Sequence, residues 1–204
     1  MDFNDADTAE VAEGVSRPRP KRADAQRNVV ALVDAAKTVF AKVGVDAPAK
    51  EITDLAGVGV GTLYRHFPKR SDLVAAVLEK EIDACVELAE ELRSSHQPAE
   101  ALRTWVRRYT EFVGTKRGLA SALHSPDPAF DALADHFANS LEPAVAALLA
   151  AGSDELRADV GAAEVLHAIA LLCQCVPGRE LDYNQRLAGV FVDGLYRRPE
   201  DVPE

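Results

Sequence analysis

The chain lacks the raw material for a covalently stapled or membrane-spanning protein. Its 204 residues hold three cysteines, Cys85, Cys173 and Cys175. Three make neither a disulfide framework nor a metal set, and Cys173 and Cys175 lie two apart on a predicted helix, so they point in different directions. They read as small apolar residues in a reducing cytoplasm. The longest apolar stretches, such as Ala168–Cys173, fall far short of the ~20 residues that cross a bilayer. The N-terminus carries Asp2, Asp5, Asp7, Glu10 and Glu13 with no apolar core, so no signal peptide is expected. Strand-like alternation is never sustained, and turn signals lie too far apart for an all-β fold. A nucleophile elbow, a phosphate loop and a clean metal spacing are also missing, so no catalytic residue, metal or cofactor is nominated.

What is present is unevenly charged. The net charge is −10, which taken whole argues against nucleic acid. Residues 17–80, however, hold 12 lysines and arginines against 7 acids, a local balance of +5. Residues 81–204 carry 11 against 21. An acidic body with one basic module suits a protein that touches DNA at one end.

The rest reads as helices. Residues 1–22 combine an acidic run with "SRPRPKR" and are expected to be a disordered tail ending in a basic arm, with Pro18 and Pro20 opposing a helix. A first helix is predicted over Asp24–Val43, where Val29, Leu32, Val33, Ala36 and Phe40 recur at helical spacing before Gly44. Short helices follow at Pro48–Gly57 and Val60–His66, then a long one from Ser71 or Asp72 to Leu92. Further helices are predicted over 99–115, 128–151 with a kink or break at Pro143, 156–176 and 182–197, with "KRGLASALHS" as a short helix or turn. The helix around Val165, Leu166, Ile169 and Leu171 is apolar on more than one face, so a second copy of the chain can be one of its covers. The expected fold is all-α. A helix-turn-helix unit spans residues 23–70, and a larger helical ligand-binding and dimerisation domain spans 71–204.

The stretch "AGVGVGTLYRHF", residues 56–67, asks whose phosphates its glycines serve. A dinucleotide fingerprint starting at Gly57 or Gly59 would need its third glycine at Thr62 or Tyr64, and helix rather than strand precedes it. Two short helices joined by a glycine turn instead fit a helix-turn-helix, with the second lying in a major groove. Gly59 and Gly61 remove side chains where backbone nears DNA. Thr62 can meet a base edge or a thymine methyl. Tyr64, His66, Lys69 and Arg70 offer donors to phosphate, and Lys50, Val60 and Arg65 complete the expected contact set. Leu63 and Phe67 are the anchoring side.

Residues 35–77, and above all Ala56–Phe67 with the basic pair and Leu73, resemble the DNA-binding domain of the tetracycline-repressor (TetR/AcrR) family of bacterial regulators. "TKRGLASAL", 115–123, resembles the SbtR-like group of C-terminal domains. The resemblance implies about nine helices per chain and a cytoplasmic homodimer joined through the last two helices. It also implies a palindromic double-stranded operator and a small effector that releases the DNA. In the family the second helix usually opens with Ser or Thr, and a serine precedes the recognition helix; here Ala47, Pro48, Ala49 and Gly59 stand instead.

An effector pocket would draw on Trp105, Tyr109, Phe112, His124, Phe130, Phe137, His167 and Cys173, with His136 nearby. Few charges fall on these inner faces, so the expected ligand is mostly apolar. The same aromatics at helical spacing also suit plain core. Two other readings stay open at this point: an enzyme framing a small substrate, and a helical protein-interaction regulator with weakened DNA binding.

Overall fold

The computed structural model describes residues 20–119, 127–157, 159–174 and 177–197. Eight helices lie among them: α1 (Pro20–Val43), α2 (Ala49–Ala56), α3 (Val60–His66), α4 (Arg70–Ser95), α5 (Pro98–Gly118), α6 (Ala129–Ala151), α7 (Ala162–Leu172) and α8 (Leu181–Asp193). The fold is all-α, as expected, and no helix among the described residues is long and apolar enough to cross a membrane.

The first four helices follow their sequence signals, with one correction. Helix α1 begins at Pro20 rather than Asp24. A proline at the first helical position lacks only an N–H that would have no intrahelical partner, so Pro20 starts the helix instead of opposing it. Lys21 and Arg22 therefore belong to α1, while residues 1–19 lie outside the described residues. Gly44 and Gly57 both take positive φ, 91° and 69°, which closes α1 and α2 at little steric cost.

Later boundaries differ more. Helix α6 runs through Pro143 without a break. Helix α7 starts at Ala162 rather than 156, where the Glu164 carboxylate accepts the Gly161 N–H at 2.5 Å. The preceding residues leave the helix to pair with the end of the chain. Leu156 and Tyr196 form an antiparallel bridge, flanked by Arg157 N–H to Leu195 O at 2.9 Å and Arg197 N–H to Glu155 O at 2.8 Å. Those non-local bonds also explain why α8 stops at Asp193.

One continuous apolar core runs from Leu32, Phe40, Ile52 and Leu63 through Leu73, Val77 and Leu78 of α4 into Trp105, Leu141, Leu148, Ile169 and Val192. Helix α4 thus belongs to both halves, packing on α1 at one side and on α5 and α6 at the other. Trp105, Tyr109 and Phe112 stack along α5 with ring centroids 5.1 and 5.7 Å apart. The buried Trp105 indole N–H donates to the Cys85 carbonyl at 2.8 Å, so the one polar atom of that ring is satisfied.

Within this core sits a carboxylate. Glu81 of α4, its side chain 5% exposed, pairs with Lys37 of α1 at 2.7 Å and Arg108 of α5 at 2.8 Å. Burial pulls its carboxyl upward, but the hydrogen bonds and charges of Lys37 and Arg108 outweigh that and hold it below the ordinary value. A folded pKa below the unfolded one gives stability that is present above the ordinary carboxylate range and is lost as pH falls through it. Glu81→Gln is expected to lower unfolding stability by about 3 kcal/mol at pH 7, because two cations lose their buried partner. In urea titrations the gap between wild type and variant should shrink as the pH is lowered toward 4; a pH-independent gap would remove the ionic account.

Candidate nucleic-acid interface

Helix α3 is held to the body from one side only. Leu63 and Phe67 are buried, while Gly59, Val60, Gly61, Tyr64 and Arg65 are exposed. Val60 and Tyr64, one turn apart, are 39% and 54% exposed, an apolar strip beside the Arg65 guanidinium. Thr62 and His66 are half-buried at the edges of this face. The turn into α3 is built by Gly57, whose left-handed backbone ends α2 and lets the Val58 N–H return to Thr53 O at 3.1 Å. Gly59 then caps α3 from an extended conformation, its carbonyl accepting the Thr62 N–H at 2.9 Å.

The three glycines of this stretch differ in why they are glycines. Gly57 has a positive φ that penalises any side chain. Gly59 and Gly61 do not, and a Cβ at either would meet nothing within 4 Å. The protein's own packing leaves room for a side chain there. Neither Pro48 before α2 nor Gly59 before α3 supplies a side-chain cap, in line with the hydroxyls absent from the sequence.

The cations around α3 are placed differently from one another. Arg65 is exposed and has no acidic partner among the described residues. Lys50 is exposed and pairs with Asp54 one turn along α2 at 2.7 Å. Lys69 is exposed, with its ammonium 3.7 Å from Asp127. Arg70 corrects the expectation that it faces phosphate: its guanidinium donates to the Ala47 carbonyl and lies 5.3 Å over the Phe40 ring. This brace ties the start of α4 to α1 and to the loop before α2. It uses a donor fork and a flat cation, which arginine offers and lysine does not.

Asp127, just ahead of α6, connects this end of the molecule to the other. Its carboxylate accepts the Ala129 N–H at 3.1 Å and the Ser71 hydroxyl at 2.9 Å. The Ala129 backbone and Ser71, despite some opposing burial and with help from Lys69, hold it below the ordinary carboxylate range.

Helices α4, α5 and α6 enclose a cavity of about 290 Å³ lined by Leu78, Ile82, Phe112, Lys116, Phe130, Leu133, Ala134 and Phe137. Three of the pocket candidates, Phe112, Phe130 and Phe137, line it. Trp105, Tyr109 and Cys173 are instead buried in packed core, where burial raises the Tyr109 phenol. His167 is exposed, on the side of α7 away from Val165, Leu166 and Ile169. His136 meets Asp83 at 2.9 Å, and His124 lies outside the described residues. Leu78, Ile82 and Leu133 carry only the periodicity of ordinary core residues, and nothing in the sequence marks Lys116 as their neighbour. A larger cleft of about 400 Å³ lies where α1, α5 and α8 meet, lined by Lys37, Phe40, Val77, Glu111, Thr115 and Leu181 among others. Its polar groups are engaged with neighbours: Lys37 with Glu81, and Glu111 facing Arg108 at 3.9 Å.

Comparison with known proteins agrees with this architecture. Residues 32–77 match the family described as bacterial regulatory proteins, tetR family. Residues 97–197 match the C-terminal domain of SbtR-like transcriptional regulators. A crystal structure of a TetR transcriptional regulator from Streptomyces coelicolor is 30% identical, with 82% of this chain and 98% of that chain covered and a TM-score of 0.71. A TetR transcription regulatory protein from Mycobacterium vanbaalenii is 33% identical, covering 87% and 100%, with a TM-score of 0.69. The HTH-type transcriptional activator FasR of Mycolicibacterium smegmatis is 31% identical over 117 residues, 53% of each chain. A Staphylococcus aureus HTH-type regulator is 38% identical over 68 residues, 32% of this chain. The alignments thus span about a third to half the length of these two curated relatives, 35% and 53%. With an exposed recognition helix, an aromatic cavity and two matches at 30% identity or more that run nearly the whole length of the matched chains, this chain belongs to the TetR family of DNA-binding transcriptional regulators.

Proposed function

We propose that the chain is a homodimeric repressor acting in the cytoplasm, that binds a palindromic operator through α3 and leaves it when a small, mostly apolar effector enters the cavity between α4, α5 and α6. In this reading residues up to Arg70 are the DNA-binding unit and α4–α8 the sensing and dimerising one. The observation that carries it is the outward face of α3. Gly59 and Gly61 have open space where a side chain would stand, so the demand for glycine comes from outside the protein. A backbone pressed against a duplex supplies that demand. Thr62 then reads a base edge, while Tyr64, Arg65, His66 and Lys69 hold phosphate. Lys50 and Val60 flank them.

Dimerisation through the last two helices is supported by Leu171 of α7 and Val190 of α8, which are 60% and 69% exposed. A two-fold pair would set its recognition helices about 34–36 Å apart, one turn of duplex, or a multiple of it. Asp127 supplies a route for release. It joins the N-terminus of the cavity-wall helix α6 to Ser71 and Lys69 beside α3, so displacement of α6 is felt at the DNA-facing end. A protein-interaction regulator with weakened DNA binding is the second reading, favoured by the missing side-chain caps on α2 and α3. Mobility shift with the DNA upstream of the chain's own coding sequence separates the two: specific retardation is expected, and its absence favours the second.

Gly61→Ala is expected to raise stability by about 0.5–1 kcal/mol, since alanine suits a helix interior better. The same change should weaken DNA binding; a variant that is more stable and binds normally would sink the close-approach argument. Arg65→Ala and Lys69→Ala should each reduce the slope of log affinity against log salt by about 0.9, measured by fluorescence anisotropy. Arg70→Ala should instead lower the melting midpoint, because the brace to Ala47 and Phe40 is lost. Val190→Glu, placing a charge at the dimer face, is expected to convert a dimer to monomer in sedimentation velocity while leaving helicity unchanged.

A further inference from the structure

We infer that the ligand of the α4–α5–α6 cavity is an apolar monocarboxylate whose anionic head pairs with Lys116. The inference rests on the reading of that cavity as the effector site and adds the chemical class of its ligand. The described walls are apolar, with Phe112, Phe130 and Phe137 supplying three rings, and Lys116 is the one ionisable residue among them. Its ammonium stands 5.5 Å over the face of Phe137. The nearby imidazole of His136 is already paired with Asp83 at 2.9 Å, whereas Lys116 has no carboxylate partner among the described residues.

An exposed ammonium needs no partner while water reaches it. An occupant that fills the cavity strips that water, and the charge must then be neutralised or the complex loses affinity. A neutral apolar molecule leaves the ammonium desolvated and alone. A cation is drawn by the rings but repelled by Lys116. A phosphate monoester brings up to two charges to a single counter-ion, whereas a carboxylate brings one. The volume, about 290 Å³, sits at the lower end of small-molecule sites, about 300–1,000 Å³, so a compact acid fits better than a large conjugate.

Three probes with one tail test this by calorimetry on the full chain: decanoate, decanol and decyltrimethylammonium. Decanoate is expected to bind roughly tenfold or more tighter than decanol, the worth of a charge-assisted contact. Lys116→Met should erase that preference while decanol binds as before. Ala134→Trp, at an exposed position on the cavity wall, should abolish binding of both. Decanol or the ammonium binding as tightly as decanoate would overturn the assigned class while leaving the effector site standing. Preference for decanoate that survives Lys116→Met, or binding that survives Ala134→Trp, would overturn the assigned contact. Failure of all three probes to bind would overturn the inference together with the effector-site reading.

Discussion

The carboxylate of Glu81 sets the terms on which three helices meet. Among the described residues it is the one acid buried in the core, and an ionised carboxylate there is tolerated only when fully paired. Its partners arrive from different helices, Lys37 from α1 and Arg108 from α5. A change in the angle of α1 against α4 therefore threatens a buried charge, not only apolar contact. The exposed pair of Lys80 with Asp34 at 2.6 Å joins the same two helices, but screening by water makes it the weaker constraint. The DNA-facing helices are carried on α1, so their placement relative to the cavity passes through Glu81.

The recognition helix itself has little of its own to stand on. At seven residues it is too short to persist alone in water, it opens on a glycine, and no side chain caps it. Leu63 and Phe67 press it into the core from below, and Arg70 locks the following turn to Ala47 and Phe40. Such an arrangement spends almost no exposed side chain on folding. That leaves the outer face of α3 unconstrained by stability, and available to whatever it reads.

Much of this was legible from the residue order. The period of Leu32, Ala36 and Phe40 and the glycine-marked turn define the helix-turn-helix because those signals act within a few residues. What was illegible depended on partners far away in sequence. Arg70 looked like any basic residue beside a recognition helix, and only the approach of Ala47 and Phe40 turns it inward. Helix α7 starts later than its apolar pattern suggests because residues 155–157 are claimed by 195–197. On α5, Trp105 and Phe112 share one face, and spacing cannot tell which of them meets packed neighbours and which meets a gap. Lys116 shows the same limit in reverse: a charge in a polar stretch becomes notable only once Phe137 stands beneath it.

The paired segments 155–157 and 195–197 make α7 and α8 a loop with its ends tied, reinforced by the Arg197 side chain on the Leu156 carbonyl at 2.9 Å. The knot lies against Gly152, where an added Cβ would stand 2.8 Å from Leu156 and 3.2 Å from Pro98, at the end of α6 and the beginning of α5. A hairpin tied at its base moves as a lever, not as a fraying tail. In an assembly gripping α7 and α8, load applied by one subunit would arrive at the foot of the other's cavity wall, giving two otherwise separate chambers a common mechanical ground.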